Sequence, residues 1–162
     1  MNNAYRLRKG RVSLTNHFYS ITIVTHQRQR FFTCLAINRQ IINHMQQLQQ
    51  QQLIKSIAFV LMPDHLHWQF QLLEHATLAG VVRTFKGQTA TTCRKYDIHK
   101  LWQKGYYDHL IRDENDLINQ ARYIVANPLR TKLVTTVMVN KFCRDSKRHF
   151  LIHYISDVAS YN

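Results

Sequence analysis

The sequence predicts an α+β domain built on an antiparallel sheet, and two patterns lead to that prediction. Short segments rich in β-branched and aromatic residues indicate strands, whereas longer segments with apolar residues three or four positions apart indicate helices. Along the 162 residues these segments follow the order strand, helix, strand, strand, helix, strand, and an additional helix comes next. The first six elements form the βαββαβ pattern of a ferredoxin-like fold, with the helices on one face of the sheet.

The first half of the chain contains three of the predicted strands and the first helix. Residues 18–24 read Phe-Tyr-Ser-Ile-Thr-Ile-Val and predict the first strand. A helix follows, in which glutamines fill the solvated positions and the apolar stripe consists of Ile37, Ile41, Ile42, Met45 and Leu48. Residues 57–62 and 65–73 flank a Pro-Asp turn signal and predict a hairpin. The alternation within 65–73 places His65 and His67 on the polar face of the second hairpin strand.

The second half of the chain supplies a helix, a strand and the additional helix. Thr77 can cap the second helix, and alternating residues predict a fourth strand within 102–112. Asp113 or Asn115 can begin the additional helix. The same helix is expected to end near Asn127, because the proline that follows disfavours a helical conformation at the residue before it.

Charge is the strongest signal in the composition. There are 22 Lys and Arg residues against 9 Asp and Glu residues, so the formal charge is +13, more than solubility requires. Such a surface attracts a polyanion, and the 45% hydrophobic content argues against disorder. We expect a basic N-terminal arm at 1–16, one domain at 17–134 and a basic C-terminal extension at 135–162.

Cysteine usage and the apolar segments indicate a cytoplasmic protein. The three cysteines form no CxxC pair and no even-numbered framework, which fits a reducing compartment. The first residues contain no apolar signal-peptide core, and no apolar run approaches the roughly 20 residues that cross a bilayer. Secretion and membrane insertion are therefore not expected.

Two histidines on one strand face are the first candidates for chemistry. His65 and His67 point the same way, and two neutral imidazoles side by side are able to bind a divalent metal. The same spacing also arises by chance in a chain with ten histidines, as surface or hydrogen-bonded strand residues. A second polar pair favours the metal site, because Tyr123 and Asn127 lie one helical turn apart and away from the apolar stripe of the last helix.

A tyrosine beside a divalent metal suggests a nucleophile. Because its hydroxyl has an ordinary pKa of about 10, a phenol attacks poorly at neutral pH unless the electrophile is activated. A phosphodiester bound to Mg²⁺ or Mn²⁺ is such an electrophile. The residues therefore suggest that Tyr123 attacks exposed, single-stranded or hairpin-flanking DNA and becomes a phosphotyrosine joined to one DNA end.

Four blocks of this sequence resemble a known family. They are Met62-Pro63-Asp64-His65-Leu66-His67, Phe85-Lys86-Gly87, Leu101-Trp102-Gln103-Lys104-Gly105-Tyr106-Tyr107-Asp108-His109 and Ala121-Arg122-Tyr123-Ile124-Val125-Ala126-Asn127-Pro128. From about Arg11 to Val134 the chain resembles the REP-associated tyrosine transposases, which are bacterial single-tyrosine HUH nucleases. The resemblance implies a ferredoxin-like transposase and endonuclease that cleaves and rejoins single-stranded DNA beside palindromic REP hairpins.

The resemblance also implies roles for individual residues. His65 and His67 would ligate Mg²⁺ or Mn²⁺, and Tyr123 would form a 5′-phosphotyrosine intermediate. Related insertion-sequence transposases have a glutamine where this chain has Asn127, so Asn127 takes the third-ligand position with a shorter side chain. The family resemblance points to a monomer.

Basic side chains are the expected contacts to DNA phosphates, although each one alone is more often solvated surface. The assigned residues are Arg6, Arg8, Lys9, Arg11, Arg83, Lys86, Arg94, Lys95, Arg130 and Lys132. Trp102, Tyr106 and Tyr107 are candidates for stacking on an unpaired base, but aromatic residues in strands more often belong to the core.

Three other functions remain compatible with the sequence. A basic RNA-binding module would read RNA on its sheet face, although the chain lacks an RNP-like aromatic run. A metal-dependent nuclease could activate water and use Tyr123 only structurally. A transposase that no longer cleaves would remain a hairpin-binding regulator. Asp108 and His109 fit either an orienting role at the site or a structural pair.

Overall fold

The computed structural model describes residues 13–133 and the backbone of residues 152–154. The rest of the predicted N-terminal arm and C-terminal extension lies outside the described residues, so the three predicted segments stay predictions. The strands are β1 (Phe18–Val24), β2 (Ile54–Met62), β3 (His65–Leu72), β4 (Tyr107–Leu110) and β5 (Ile152–Tyr154), and the helices are α1 (Leu35–Gln50), α2 (Leu78–Cys93) and α3 (Glu114–Arg130).

The described strands form one antiparallel sheet in the order β4-β1-β3-β2-β5. The first half of the domain is β1-α1-β2 and the second half is β3-α2-β4. β3 lies between β1 and β2, and β1 lies between β3 and β4, so the strands of the two halves alternate in the sheet. This is the split βαβ topology, and the predicted ferredoxin-like α+β fold is confirmed. β5 adds a fifth strand next to β2, with Tyr154 opposite Ala58, where the sequence analysis predicted none.

The larger core lies between the sheet and the helices α1 and α2. Ile21, Trp68 and Phe70 point into it from β1 and β3 and are at most 1% exposed. The apolar stripe predicted for α1 is buried against the same face. The Trp68 indole Nε1 donates a hydrogen bond to Ser56 Oγ at 2.8 Å, so the one polar atom of this buried side chain has a partner.

α3 packs on the opposite face of the sheet and forms a second, smaller core there. Leu117, Ala121 and Ile124 of α3 are at most 5% exposed and pack with Val60 and Met62 of β2. β2 is therefore covered on both faces. This double burial explains why its sequence is a nearly continuous apolar run instead of an alternating one.

Gln69 shows how closely α3 covers the face that also carries the two histidines. Alternation along β3 places Gln69 on the same face as His65 and His67, but its side chain is fully buried. The Gln69 Nε2 donates to the backbone oxygen of Leu117 at 3.0 Å. A buried amide that is bonded to the first turns of α3 fixes the position of that helix against β3.

Both predicted helix caps are present. Thr77 Oγ1 accepts a hydrogen bond from the Gly80 backbone N–H at 3.1 Å, at the beginning of α2. Asp113 Oδ1 accepts from the Asp116 backbone N–H at 2.9 Å, at the beginning of α3. None of the described helices is long and apolar enough to cross a membrane.

The end of α3 differs from the prediction. The helix continues through Pro128 to Arg130, three residues beyond Asn127. Two backbone hydrogen bonds cap the C-terminal end of the helix, from Thr131 N to Asn127 O at 3.1 Å and from Leu133 N to Pro128 O at 2.9 Å. Asn127 consequently lies inside the helix, so the helical backbone sets the direction of its side chain.

The fourth strand is shorter than predicted. Strand pairing covers Tyr107–Leu110, whereas Trp102 forms an isolated bridge with Thr25. Gly105 lies between the two segments with a φ of 82°, which interrupts the extended backbone.

Lys86 links α2 to the loop that precedes β4. Its Nζ donates to the backbone oxygens of Gln103 and Gly105, both at 2.8 Å. The sequence analysis assigned Lys86 to DNA phosphates, but at least two of the three ammonium donors bind the protein backbone. Lys86 therefore has a structural role in placing β4.

Replacing Lys86 with methionine is expected to destabilise the fold, because two carbonyl groups lose a charged donor. We expect the free energy of unfolding to fall by about 2 kcal/mol, measured by urea denaturation with circular dichroism. Arg83→Met, on an exposed position of the same helix, is the control and should change stability by less than about 0.5 kcal/mol. Equal stabilities of the two variants would contradict a structural role for Lys86.

Candidate active site

The two histidines of β3 bring ring nitrogens to one point. His65 Nε2 and His67 Nε2 are 3.2 Å apart, and the two rings meet edge to face with centroids 4.7 Å apart. At that separation two nitrogen lone pairs repel each other unless a proton or a cation lies between them. The alternation of β3 therefore creates a position suited to a small cation.

Asp64 is the hydrogen-bond partner of the first imidazole, that of His65. Its Oδ1 lies 2.6 Å from His65 Nδ1, and its Oδ2 accepts a hydrogen bond from Arg28 at 3.0 Å. Burial raises the pKa of the Asp64 carboxyl, but the hydrogen bonds from His65 and Arg28 outweigh burial, and the net pKa is lower than usual. The anionic carboxylate only accepts, so His65 Nδ1–H donates to it and His65 Nε2 is the ring nitrogen turned toward His67.

Thr22 of β1 is the partner of the second imidazole. Its Oγ1 lies 2.8 Å from His67 Nδ1, since these two residues are directly opposite each other in the sheet. Burial, together with the neighbouring His65 and against an opposing effect of Asp64, lowers the pKa of His67 to about 4. His67 is therefore neutral at pH 7, as a metal-binding imidazole must be.

Tyr123 reaches the histidine pair from α3. Its ring lies edge to face on the His67 ring with centroids 5.9 Å apart, and 43% of the side chain is exposed. The Arg130 guanidinium lies over the same tyrosine ring, 5.1 Å from its centroid. The tyrosine is thus at the border of the second core, against the His67 ring and open to a ligand.

Asn127 lies one turn after Tyr123 and is 6% exposed. Residues four apart share a helix face, so the amide belongs to the side of α3 that carries the tyrosine. Within the described part of the chain, no group of three or more His, Cys, Asp or Glu side chains is arranged around one ion. Additional ligands of an ion at the pair would therefore be oxygens of an amide, of water or of a DNA phosphate, and the third-ligand role of Asn127 stays a prediction.

The structure separates the basic residues that were assigned to DNA. Arg130 and Lys132 lie at the C-terminal end of α3, on the side of the sheet that carries the histidines. Four others follow α2 and the short helical turn after it, on the opposite face: Arg83, Lys86, Arg94 and Lys95. The remaining four lie outside the described residues: Arg6, Arg8, Lys9 and Arg11.

The aromatic candidates also divide into two groups. Trp102 and Tyr106 pack against the larger core, as strand aromatics usually do. For Tyr107 the expectation of a core position is wrong, because 56% of its side chain is exposed. His109 Nε2 lies 2.8 Å from Asp116 Oδ2, so this histidine forms a structural link between β4 and α3.

Sequence reasoning missed the residues that hold the imidazoles. Asp64 stands next to His65, and the general rule that metal-binding histidines donate their second N–H to a carboxylate could have identified it. Thr22 lies 45 positions from His67 and depends on strand register, so no local signal identifies it.

Comparison with known proteins gives sequence relatives in one organism. A candidate REP-associated tyrosine transposase of Haemophilus influenzae is 28% identical over 144 residues, which cover 80% of this chain and 81% of that protein. An uncharacterised protein of the same organism is 31% identical over 94 residues, which cover 44% of this chain and 52% of that protein.

Solved structures share the fold. A REP-associated tyrosine transposase bound to a REP hairpin matches with a TM-score of 0.68 and 21% identity, over 78% of this chain and 75% of that chain. A candidate transposase from Deinococcus radiodurans matches with a TM-score of 0.51 and 18% identity, over 72% of this chain and 95% of that chain.

A family model covers more than half of the chain. The model described as "Transposase IS200 like" matches residues 13–127, a range that includes both histidines, Tyr123 and Asn127. The protein therefore belongs to the IS200-like transposase family.

Proposed function

We propose that this transposase is a metal-dependent enzyme that cleaves and rejoins single-stranded DNA through a phosphotyrosine at Tyr123. One observation carries the proposal: Tyr123 lies against His67, whose Nε2 converges with that of His65. A nucleophile and a cation site next to each other are what phosphodiester transfer requires.

The proposed substrate is a DNA hairpin with a single-stranded flank. The structural relative with a TM-score of 0.68 is bound to a REP hairpin, and a curated relative is a candidate REP-associated tyrosine transposase. The formal charge of +13 fits a polyanionic substrate. A tyrosine that is 43% exposed at the border of α3 accepts an extended strand more easily than a paired duplex.

The chain's own groups account for the steps of the reaction. A bound Mg²⁺ or Mn²⁺ would neutralise a non-bridging oxygen of the phosphate. The Tyr123 oxygen attacks phosphorus while the bond from phosphorus to the 3′ oxygen breaks; the phenolic proton is lost and the 3′ oxygen gains a proton. The segment downstream of the cut stays on the tyrosine through its 5′ phosphate, and the upstream segment leaves with a free 3′ hydroxyl. Attack by a 3′ hydroxyl reverses these bond changes and rejoins DNA without an external energy source.

Asn127 and Arg130 would assist from the same helix. Asn127 would offer its amide oxygen as the third protein ligand. Arg130 lies over the Tyr123 ring, where its guanidinium would bind an oxygen of the phosphate that approaches the phenol.

A single copy of the chain is proposed to suffice for catalysis. Tyr123 contacts His67 of its own chain, so one protomer brings the proposed nucleophile and the histidine pair together. This intrachain arrangement supports a monomer.

Tyr123→Phe is expected to abolish covalent attachment, because the phenylalanine ring keeps the packing but lacks the attacking oxygen. The protein is incubated with Mn²⁺ and a library of DNA hairpins with randomised single-stranded flanks, and covalent adducts are separated under denaturing conditions. The unchanged protein should retain selected strands through a 5′ phosphate, whereas the variant should bind the same hairpins without forming an adduct. Hairpin binding without an adduct by the unchanged protein would instead favour a non-catalytic hairpin-binding regulator.

His65→Ala is expected to remove metal binding more than DNA binding. Loss of one imidazole should end the stabilisation by Mn²⁺ in thermal unfolding and slow cleavage by about 100-fold or more, while hairpin affinity changes by less than about threefold. His99→Ala, at an exposed histidine outside the site, is the control. Similar losses in cleavage and in affinity would mean that His65 is only structural.

The depressed pKa of His67 predicts a loss of stability in acid. Its pKa is about 4 in the folded chain against 6.5 in a model peptide, so between these values the unfolded chain binds a proton that the folded chain does not. Lowering the pH from 7 to 4 should therefore cost about 3 kcal/mol at this residue. His67→Gln should lose that much less stability over this range in metal-free urea denaturation, whereas His99→Gln should not. Identical pH dependence of the unchanged protein and His67→Gln would refute the assignment.

A further inference from the structure

The sheet face that carries His65 and His67 is only partly covered by α3. The helix packs on β2 and reaches β3 through Gln69 and Leu117. Ser20 and Thr22 of β1 point to the same face and are half-buried. The face therefore continues past the histidines toward β4, which lies at the edge of the sheet.

One row of opposite residues crosses this face. Val60, His67, Thr22 and Tyr107 face each other in turn on β2, β3, β1 and β4. Val60 is fully buried under α3, whereas 56% of Tyr107 is exposed. Since neighbouring strands are about 4.8 Å apart, the Cα atoms of Tyr107 and His67 are about 10 Å apart.

Two exposed tyrosines thus lie on opposite sides of His67. Tyr123 approaches it from α3, and Tyr107 stands across Thr22 on β4. The separation of about 10 Å between His67 and Tyr107 corresponds to about three nucleotides at the duplex rise of about 3.4 Å per nucleotide, and to fewer when the strand is stretched. A strand whose phosphate meets Tyr123 would therefore bring a base a few nucleotides away within reach of Tyr107.

We propose that Tyr107 is the platform on which an unpaired base near the scissile phosphate stacks. This inference rests on the proposed function, because it assigns a subsite to the same DNA strand. Every base offers a π-face, so stacking on a tyrosine tolerates many sequences and orients the strand without reading it. The backbone of the strand is held by charge, and the ring fixes the position of one base.

β4 is held in place for this role by contacts on both sides. Lys86 links the loop before β4 to α2 through Gln103 and Gly105. At the other end, His109 is paired with Asp116 of α3. These links hold the strand that carries Tyr107 relative to the helix that carries Tyr123, so the ring is presented before DNA binds, which lowers the entropy cost of binding.

The test measures whether the contribution of one base to binding affinity depends on the Tyr107 ring. The probe is a hairpin with a single-stranded extension that the unchanged protein selects from the randomised library by binding alone. An abasic nucleotide is placed at each position of the extension in turn. Affinities are measured for three proteins in a Tyr123→Phe background, in which no strand is cut: one with Tyr107, one with Tyr107→Phe and one with Tyr107→Ala.

At one position, removal of the base should weaken binding by about 5-fold to 100-fold in the proteins with tyrosine or phenylalanine. For the alanine variant, removal of the same base should change the affinity by less than about twofold, because the ring on which the base stacks is already missing. Equal losses in all three proteins at every position would overturn the proposal. It would also be overturned if Tyr107→Ala converted a dimer into a monomer in sedimentation, since the ring would then be a protein contact.

The outcome is separable from that of the proposed function. If the unchanged protein forms an adduct but base removal weakens binding equally with and without the Tyr107 ring, only the stacking role is rejected. If base removal weakens binding only when the ring is present but no adduct forms, strand cleavage is rejected and the base subsite is kept.

Discussion

The packing of α3 against the sheet is the interaction on which the active-site geometry depends. Buried apolar residues of the helix meet β2, and Gln69 adds a buried hydrogen bond to Leu117. These contacts fix both the rotation and the depth of the helix. Tyr123 is consequently held against His67 although 56 positions separate the two residues in the sequence. An error of one residue in the helix stripe would rotate the phenol away by about 100°.

Burial and hydrogen bonding together prepare the histidine pair. Desolvation keeps His67 neutral, which costs stability in acid but leaves a nitrogen that can accept a cation. Asp64 and Thr22 hold the Nδ1 atoms of the two rings, so both Nε2 atoms aim at one point. The carboxylate fixes one tautomer, whereas the hydroxyl can donate or accept and permits either tautomer in His67. This difference lets the pair share a proton or bind an ion without moving its rings.

Local patterns in the sequence were sufficient to predict the type and order of the described elements except β5, and to select the main candidate residues. Strand alternation placed His65 and His67 on one face, and the stripe of α3 left Tyr123 outside the apolar side. Such local patterns could not predict contacts between segments that are distant in the sequence. The approach of Thr22 to His67 depends on strand register, and the exposure of Tyr107 depends on its place on an edge strand. The two hydrogen bonds of Lys86 to backbone oxygens were equally unpredictable, because a lysine on a helix gives no sign that a later loop will surround it.

The central claim is that the imidazole pair and the phenol converge on one phosphate. The most direct test is a crystal structure of the protein with Mn²⁺ and a hairpin strand, using anomalous scattering from manganese. We expect one anomalous peak within coordination distance of His65 Nε2 and His67 Nε2, with a backbone phosphate between the ion and the Tyr123 oxygen. A peak elsewhere, or a phosphate on the ion with the phenol turned away from it, would contradict the account.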